Sequence, residues 1–240
     1  KFENHLKKFK ITIIVDKVVK INPIRNPISN GVKKQGNTFS VLTENKKEFR
    51  SLSVIVASGA DPRPLEVLGE KELIGRGVSY CVSCDGPLYK NKTVAVVGGG
   101  NAGFEAAIFL SRIAEKIYIL EYSPEVKADK TNQKRIKRAK NIEVITNAGL
   151  KEIKGKNFVE SIVYEENKIK DLKTLKVDGV FIEIGSIPAT DFVKGLVDFN
   201  KRDEIIINSR TEETKIPGLF AAQGTKAALS ASKYLQGRFQ

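Results

Sequence analysis

Two cysteines three residues apart, with a carboxylate directly behind them, open the chemistry of this chain: Cys81-Val82-Ser83-Cys84-Asp85. That spacing lowers a thiol pKa and permits a reversible disulfide, and an adjacent acid can move protons. Gly86-Pro87 follows and predicts a turn that leaves the pair accessible. These are the only two cysteines, too few for a four-thiolate zinc site, and in a chain expected to be cytosolic the pair reads as redox-active rather than structural; half of a zinc site completed by another chain, and two ordinary buried thiols, are the competing readings. Further on, Gly98-Gly99-Gly100-Asn101-Ala102-Gly103 contains the pattern Gly-x-Gly-x-x-Gly. The first glycine of such a pattern permits a tight turn, the second lets main chain approach a pyrophosphate, and the third lets helix pack on strand. The helix that opens at Asn101 and Ala102 would supply free N–H groups and a partial positive charge to that phosphate.

An acid belongs at the end of the next strand, and Glu121 lies 121 − 103 = 18 residues past the last glycine, near the roughly 20 expected of a group that accepts from an adenosine ribose. A carboxylate there repels a 2′-phosphate, and Tyr122, Ser123 and Pro124 bring no arginine, so NADH is expected over NADPH. Lys127 or Lys130 folding back onto a phosphate is the competing arrangement.

The elements that must hold these groups are legible on both sides. Thr93–Val97 reads as a strand buried on both faces, the apolar positions from Asn101 to Ile113 recur at helical spacing, and Lys116–Leu120 reads as the next strand. A basic helix over about Lys127–Lys140, strands at Ile142–Thr146, around Phe158–Glu165 and at Val177–Ile184, and a break at Gly185-Ser-Ile-Pro188 complete a βαβ-type array. Before it come strand patterns at Ile11–Val15, Val18–Ile21, Thr38–Leu42 and Ser53–Ala57, with a polar stretch at Asn22–Gly36. After it come Glu204–Ile207, Ile216–Ala222 and a helix from about Lys226. Asp61-Pro62-Arg63-Pro64 predicts an extended connector and a domain boundary.

Composition narrows the chemistry. With 240 residues, 41% hydrophobic and 29% charged, the chain is neither disordered nor fibrous. His5 is the only histidine, which excludes nucleophilic catalysis by a Ser-His-Asp triad and any poly-histidine metal site. The net charge of +13 is densest at Lys127–Lys140, where it reads as one solvated helix face, because no nucleic-acid-binding signature accompanies it. No apolar run spans a membrane, and a soluble, cytoplasmic protein is expected. Methionine is absent and the chain starts at Lys1, so it is read as part of a longer product.

Taken together, the chain resembles the thioredoxin reductase family of flavoproteins, and within it the branch of alkyl hydroperoxide reductase flavoproteins. The resemblance is carried by Val54-Ile-Val-Ala-Ser-Gly-Ala60, Gly75-Arg-Gly-Val-Ser-Tyr-Cys-Val-Ser-Cys-Asp-Gly-Pro-Leu-Tyr89, Val94-Ala-Val-Val-Gly-Gly-Gly-Asn-Ala-Gly103, Leu120-Glu-Tyr-Ser-Pro-Glu-Val-Lys-Ala-Asp129, Gly179-Val-Phe-Ile-Glu-Ile-Gly185 and Pro217-Gly-Leu-Phe-Ala-Ala222. It implies an α/β fold of two Rossmann-like, three-layer (ββα) domains. A nicotinamide domain (65–184), which carries the disulfide, is inserted in an incomplete FAD domain (1–64 and 185–240).

By the family pattern a reduced nicotinamide passes hydride to FAD, the flavin reduces the disulfide, and a domain rotation presents the dithiol to a protein partner. Cys84 then faces the flavin, Cys81 attacks the partner's disulfide and Asp85 is the acid and base. Gly98, Gly100, Asn101, Ala102, Gly103, Glu121, Tyr122, Gly185, Ser58 and Gly59 are the implied cofactor-binding positions. NADP-type members carry His-Arg-Arg where this chain has Glu121-Tyr122-Ser123. The implied partner is a thioredoxin-like or peroxiredoxin protein, and the implied assembly a homodimer.

The chain departs from the family in two places. The Gly-rich βαβ unit for the FAD pyrophosphate would precede residue 1. A Gly-Asp pair expected after Phe220-Ala-Ala222 is replaced by Gln223-Gly224. The expectation is a recorded part of a longer enzyme; a truncated relative without flavin, and a flavin-free NAD-binding module with a redox-sensing disulfide, are the alternatives.

Overall fold

An apolar, β-branched segment with no polar interruption is stable in a sheet only where both faces are covered, and Thr93–Val97 occupies such a place. The computed structural model describes residues 6–9, 11–24, 37–166, 169–221 and 225–238. Two units divide the chain, one of residues 1–60 with 188–240 and one of residues 61–187.

The first unit begins with three antiparallel strands in sequential order, β1 (Val18–Ile24), β2 (Thr38–Thr43) and β3 (Glu48–Ser51). Thr43-Glu-Asn-Lys-Lys47 makes the β2–β3 turn, with Lys46 at φ 60°. Strand β4 (Val54–Val56) follows, then β5 (Ala60–Pro62) at the passage into the second unit.

The second unit contains β6 (Val78–Ser79), the short helix α1 (Val82–Asp85), β7 (Thr93–Val97), α2 (Asn101–Leu110), β8 (Lys116–Glu121), α3 (Lys130–Arg138) and β9 (Ile142–Thr146). Strands β10 (Ala148–Lys154), β11 (Ser161–Glu166), β12 (Asp171–Lys176) and β13 (Gly179–Ile182) complete it. Five strands form a parallel sheet in the order β6-β13-β7-β8-β9, and β10-β11-β12 form an antiparallel meander.

Alternation along the sheet sorts side chains between two cores. Ala95, Val97, Leu120, Val180 and Ile182 pack with Leu150, Ile153, Ile162 and Tyr164 of the meander. Val94, Val96, Ile117, Ile119 and Phe181 pack with Phe104, Ala107, Leu110 and Ile136 of the helices. This is the expected α/β fold in three layers: meander, parallel sheet, helices.

The chain passes out of this unit at β14 (Ser186–Pro188), which pairs with β5. The first unit then resumes with β15 (Leu219–Ala221), parallel to β4, and helix α4 (Thr225–Arg238). Ile21, Phe39, Val56, Val193, Val197 and Leu219 form its core, while Ala227 and Ala231 of α4 bury Phe220.

The structure corrects several expectations. Ile11–Val15 is no strand: no described strand pairs with it, and Ile11, Ile13, Ile14 and Val15 are exposed, so its β-branched composition has no ladder to join. Glu204–Ile207 forms one isolated bridge between Phe199 and Ile205, because the Asn200 side chain takes the Arg202 and Glu204 N–H groups and the Asn208 side chain those of Arg210 and Thr211. The βαβ-type array holds only as far as β9; the segment up to β13 is the meander. Strands β3, β10 and β12 went unread, since Glu48, Arg50, Lys151, Lys154, Lys173 and Lys176 place charges on exposed sheet faces. The basic helix is shorter than expected and starts where Asp129 accepts from the Asn132 N–H at 2.8 Å. His5, most of the Asn22–Gly36 stretch and Ala222-Gln223-Gly224 lie outside the described residues.

Candidate active site

Because β6, β13, β7, β8 and β9 all run parallel, whatever follows each strand emerges at one edge of the sheet, and ligands of open α/β sheets bind along that edge. Here the residues in question are Cys81 two positions after β6, Gly98 directly after β7, Glu121 at the end of β8, and Glu183 to Gly185 after β13.

The disulfide joins Cys81 and Cys84 across one turn, with Cα atoms 5.3 Å apart. Cys81 is the residue before α1, and its carbonyl accepts from the N–H groups of Cys84 and Asp85 at 3.2 and 3.1 Å. Ser79, at the end of β6 and buried, fixes the loop: its hydroxyl accepts from the Cys81 N–H at 3.1 Å and donates to the Asp85 carboxylate at 2.6 Å. Cys84 is exposed, while Cys81 and Asp85 are half-buried.

Tyr80 turns to the opposite face and its hydroxyl donates to Glu70, whose carboxylate is 1% exposed. Glu70 also accepts from the Leu65 and Val67 N–H groups at 2.9 and 3.3 Å. Burial alone would raise its pKa, but these donors outweigh it and hold the carboxyl below its ordinary value. Burial, and then the facing Glu70 carboxylate, push the Tyr80 phenol up. A buried carboxylate thus ties the segment entering this unit to the residue that precedes the disulfide.

The glycine turn is held by its neighbours. The Gly98 N–H donates to the Leu120 carbonyl at 2.9 Å, and the Gly99 carbonyl accepts from the Lys127 and Ala128 N–H groups at 2.9 and 3.0 Å. Gly98 has φ +125°, and a Cβ there would lie 2.3 Å from the Glu183 carbonyl oxygen; at Gly103 it would lie 1.9 Å from the Gly98 carbonyl oxygen. The fold itself demands both residues. Gly100 differs: its φ of −85° and ψ of −175° are open to any residue, and a Cβ there would meet nothing within 4 Å. Among the described residues nothing asks for a glycine at this point, and the open space over the main chain is what a closely lying ligand would need.

Gly100 also caps α2 without a side-chain hydrogen bond, leaving the first-turn N–H groups for an anion. Glu121 is already oriented, accepting from the Gly99 N–H at 2.7 Å and the Ser123 N–H at 2.8 Å, with lone pairs left for ribose hydroxyls.

A cleft of about 600 Å³ gathers Gly98, Gly100, Asn101, Ala102, Glu121, Tyr122 and Gly185 with Leu65, Val67, Lys127, Glu183 and residues 148–151, within the usual size range of small-molecule sites. Gly103 is buried behind it. Asn101 also accepts through its side chain from the Asp129 N–H at 2.7 Å, bracing the start of α3. The residues present therefore suit a dinucleotide.

Ser58 and Gly59 belong to the other unit, where they follow β4 as exposed residues, Gly59 at φ +67°. The described residues of that unit include no strand–glycine–helix turn, so they do not form a flavin phosphate cradle by themselves. No cluster of three or more metal-ligating side chains occurs among the described residues.

Sequence reading passed over Gly99, where a Cβ would lie 2.6 Å from a Glu121 carboxylate oxygen; three consecutive glycines were the available signal. It also passed over Glu183 and the β10 residues of the cleft, for which no local signal existed, whereas Lys127, named as a possible phosphate partner, does line the cleft.

Comparison with known proteins agrees with this geometry. Residues 3–224 match the family described as pyridine nucleotide-disulphide oxidoreductase. The chain is 39% identical over 220 residues to the F component of alkyl hydroperoxide reductase in Staphylococcus aureus, covering 85% of this chain and 43% of that protein. It is 37% identical over 223 residues to the same component in Staphylococcus epidermidis, covering 86% and 44%. It therefore spans less than half the length of these relatives. The solved thioredoxin reductase of T. acidophilum superposes with a TM-score of 0.75 at 32% identity, covering 98% of this chain and 78% of that one. That of Lactococcus lactis gives 0.72 at 29% identity, covering 93% and 73%.

Proposed function

This chain belongs to the pyridine nucleotide-disulphide oxidoreductase family, and on that premise we propose that it is the nicotinamide- and disulfide-bearing part of an FAD-dependent thiol-disulfide oxidoreductase of the thioredoxin reductase type. NADH is the proposed reductant, a thioredoxin-like or peroxiredoxin disulfide the proposed acceptor, and a homodimer the proposed assembly. The observation that carries the reading is the placement of a Cys-x-x-Cys disulfide and a glycine turn with an unfilled Gly100 at one edge of a single parallel sheet.

FAD, assigned from the family, would supply the two-electron relay between nicotinamide and disulfide. The chain's own residues account for the rest. The glycine turn and the α2 N-terminus hold the pyrophosphate, and Glu121 holds the adenosine ribose and disfavours a 2′-phosphate. Two electrons entering the Cys81–Cys84 bond break it into one thiolate and, with one proton, one thiol; Asp85, fixed by Ser79, is placed to exchange that proton. The Cys81 thiolate then attacks the partner's disulfide, releasing one partner thiolate and forming a mixed disulfide. Cys84 displaces the second partner sulfur and restores the intramolecular bond. Among the described residues no helix is long and apolar enough to cross a membrane.

Replacing Cys84 with Ser in the flavin-loaded protein should abolish disulfide reduction while NADH still bleaches the flavin absorbance. Unchanged turnover would refute the assignment.

A further inference from the structure

Of the two acids in the cleft, Glu121 is engaged by backbone donors and Glu183 is not. Glu183 follows β13, and its N–H donates to the Val97 carbonyl at 2.9 Å, directly beside the glycine turn. Its own carbonyl oxygen is the atom that forbids a side chain at Gly98. The side chain is half-buried, and no hydrogen bond or ion pair engages its carboxylate among the described residues. Burial raises its pKa above the ordinary value, as expected of an acid that has lost water without gaining a donor.

The strand order says which part of a ligand would supply the donor. A dinucleotide crosses the sheet edge at the topological switch point, with its pyrophosphate over the turn after β7. Strand β8, which ends at Glu121, lies on one side of β7, and β13, which Glu183 directly follows, lies on the other. If Glu121 marks the adenosine half, the other side receives the nicotinamide half. The donors of that half are its ribose hydroxyls and its carboxamide.

We propose that Glu183 is a binding residue for the nicotinamide half of the coenzyme, accepting hydrogen bonds from its ribose hydroxyls or its carboxamide. This rests on the dinucleotide-binding reading of the cleft. Glu183 thereby serves as a specificity element: a carboxylate beside a pyrophosphate weakens every anionic nucleotide, and only a ligand carrying the second nucleoside repays that cost. AMP- or ADP-like competitors are disfavoured, and the complete dinucleotide is not.

The test is calorimetric titration of the oxidised protein with three non-reducing probes, ADP, ADP-ribose and NAD⁺, in wild type, Glu183→Ala and Glu183→Gln. Loss of the carboxylate should raise the ratio of the NAD⁺ Kd to the ADP Kd about tenfold, the scale of one charge-assisted hydrogen bond. ADP itself should bind equally well or more tightly. Glu183→Gln keeps an acceptor and the side-chain volume, so its ratio should move less; it also serves if the alanine variant folds poorly. A change shared by ADP-ribose assigns the contact to the ribose, and one confined to NAD⁺ assigns it to the carboxamide. An unchanged ratio in both variants overturns the proposal while leaving the cleft intact. Wild-type protein that binds none of the three probes overturns the dinucleotide reading itself.

Discussion

The loop that carries the disulfide and the turn that carries the glycines leave the same edge of one sheet, but they are finished differently. Around the disulfide, polar groups are answered from within the protein: Ser79 bridges Cys81 and Asp85, and Glu70 collects Tyr80, Leu65 and Val67. Around the glycine turn, Gly100 leaves open space, the α2 cap lacks a side-chain acceptor and Glu183 lacks a donor. A redox bond needs a fixed frame whose protonatable groups stay in register through repeated cycles. A coenzyme site needs groups left unsatisfied until the ligand arrives. Under the proposed function, Gly100 and Glu183, which the fold itself does not explain, are the candidates for ligand contact.

The contrast between two glycines breaks or upholds this distinction most sharply. Gly103→Ala places a methyl against backbone that cannot yield, so more than about 4 kcal/mol of stability should be lost, or folding should fail, in urea unfolding. Gly100→Ala should change stability by less than about 1 kcal/mol. Its methyl would occupy the ligand's space, and NAD⁺ affinity should fall on the order of a hundredfold, about 2.7 kcal/mol. A Gly100→Ala protein that binds NAD⁺ normally would remove the basis for calling that space a coenzyme site.

Next in size, Glu70→Gln should cost about 2 kcal/mol, the scale of buried hydrogen bonds to a charged group. Because the folded-state pKa of Glu70 is lowered, its contribution is present above the unfolded-state pKa and lost as pH falls through the folded value. The urea midpoint of wild type should therefore drop on acidification below pH of about 4.3, the ordinary carboxylate value, and the variant's midpoint should drop less. Equal slopes would show that Glu70 is not the ionised anchor of this frame.

The smallest expected change sharpens the coenzyme side. Glu121→Ala should erode the preference for NADH over NADPH about tenfold in steady-state kcat/KM, the scale of one charge-assisted hydrogen bond. A wild type that prefers NADPH would overturn that part of the proposal.

How much of this could be read beforehand follows from the range of each interaction. Cys81-x-x-Cys84-Asp85 and Gly98-x-Gly100-x-x-Gly103 are local patterns with local consequences, and the strands and helix flanking the glycines were legible because their apolar periodicity is strong. The meander was not, because β10 and β12 expose lysines (Lys151, Lys154, Lys173 and Lys176) and bury only one face against β7 and its neighbours. Ile11–Val15 misled for the converse reason: β propensity without a partner strand makes no ladder.

Residue type and spacing alone thus determined which chemistry could be sought here, a dithiol couple beside an acid and a glycine turn of the Gly-x-Gly-x-x-Gly pattern, since both depend on groups a few positions apart. Only the tertiary structure separated the glycines that the backbone requires from the one left open. It alone set Glu183 across β7 from Glu121 and buried Glu70 beneath Tyr80. Those relations join residues far apart in the chain, and close packing, not sequence proximity, brings them within reach of one another.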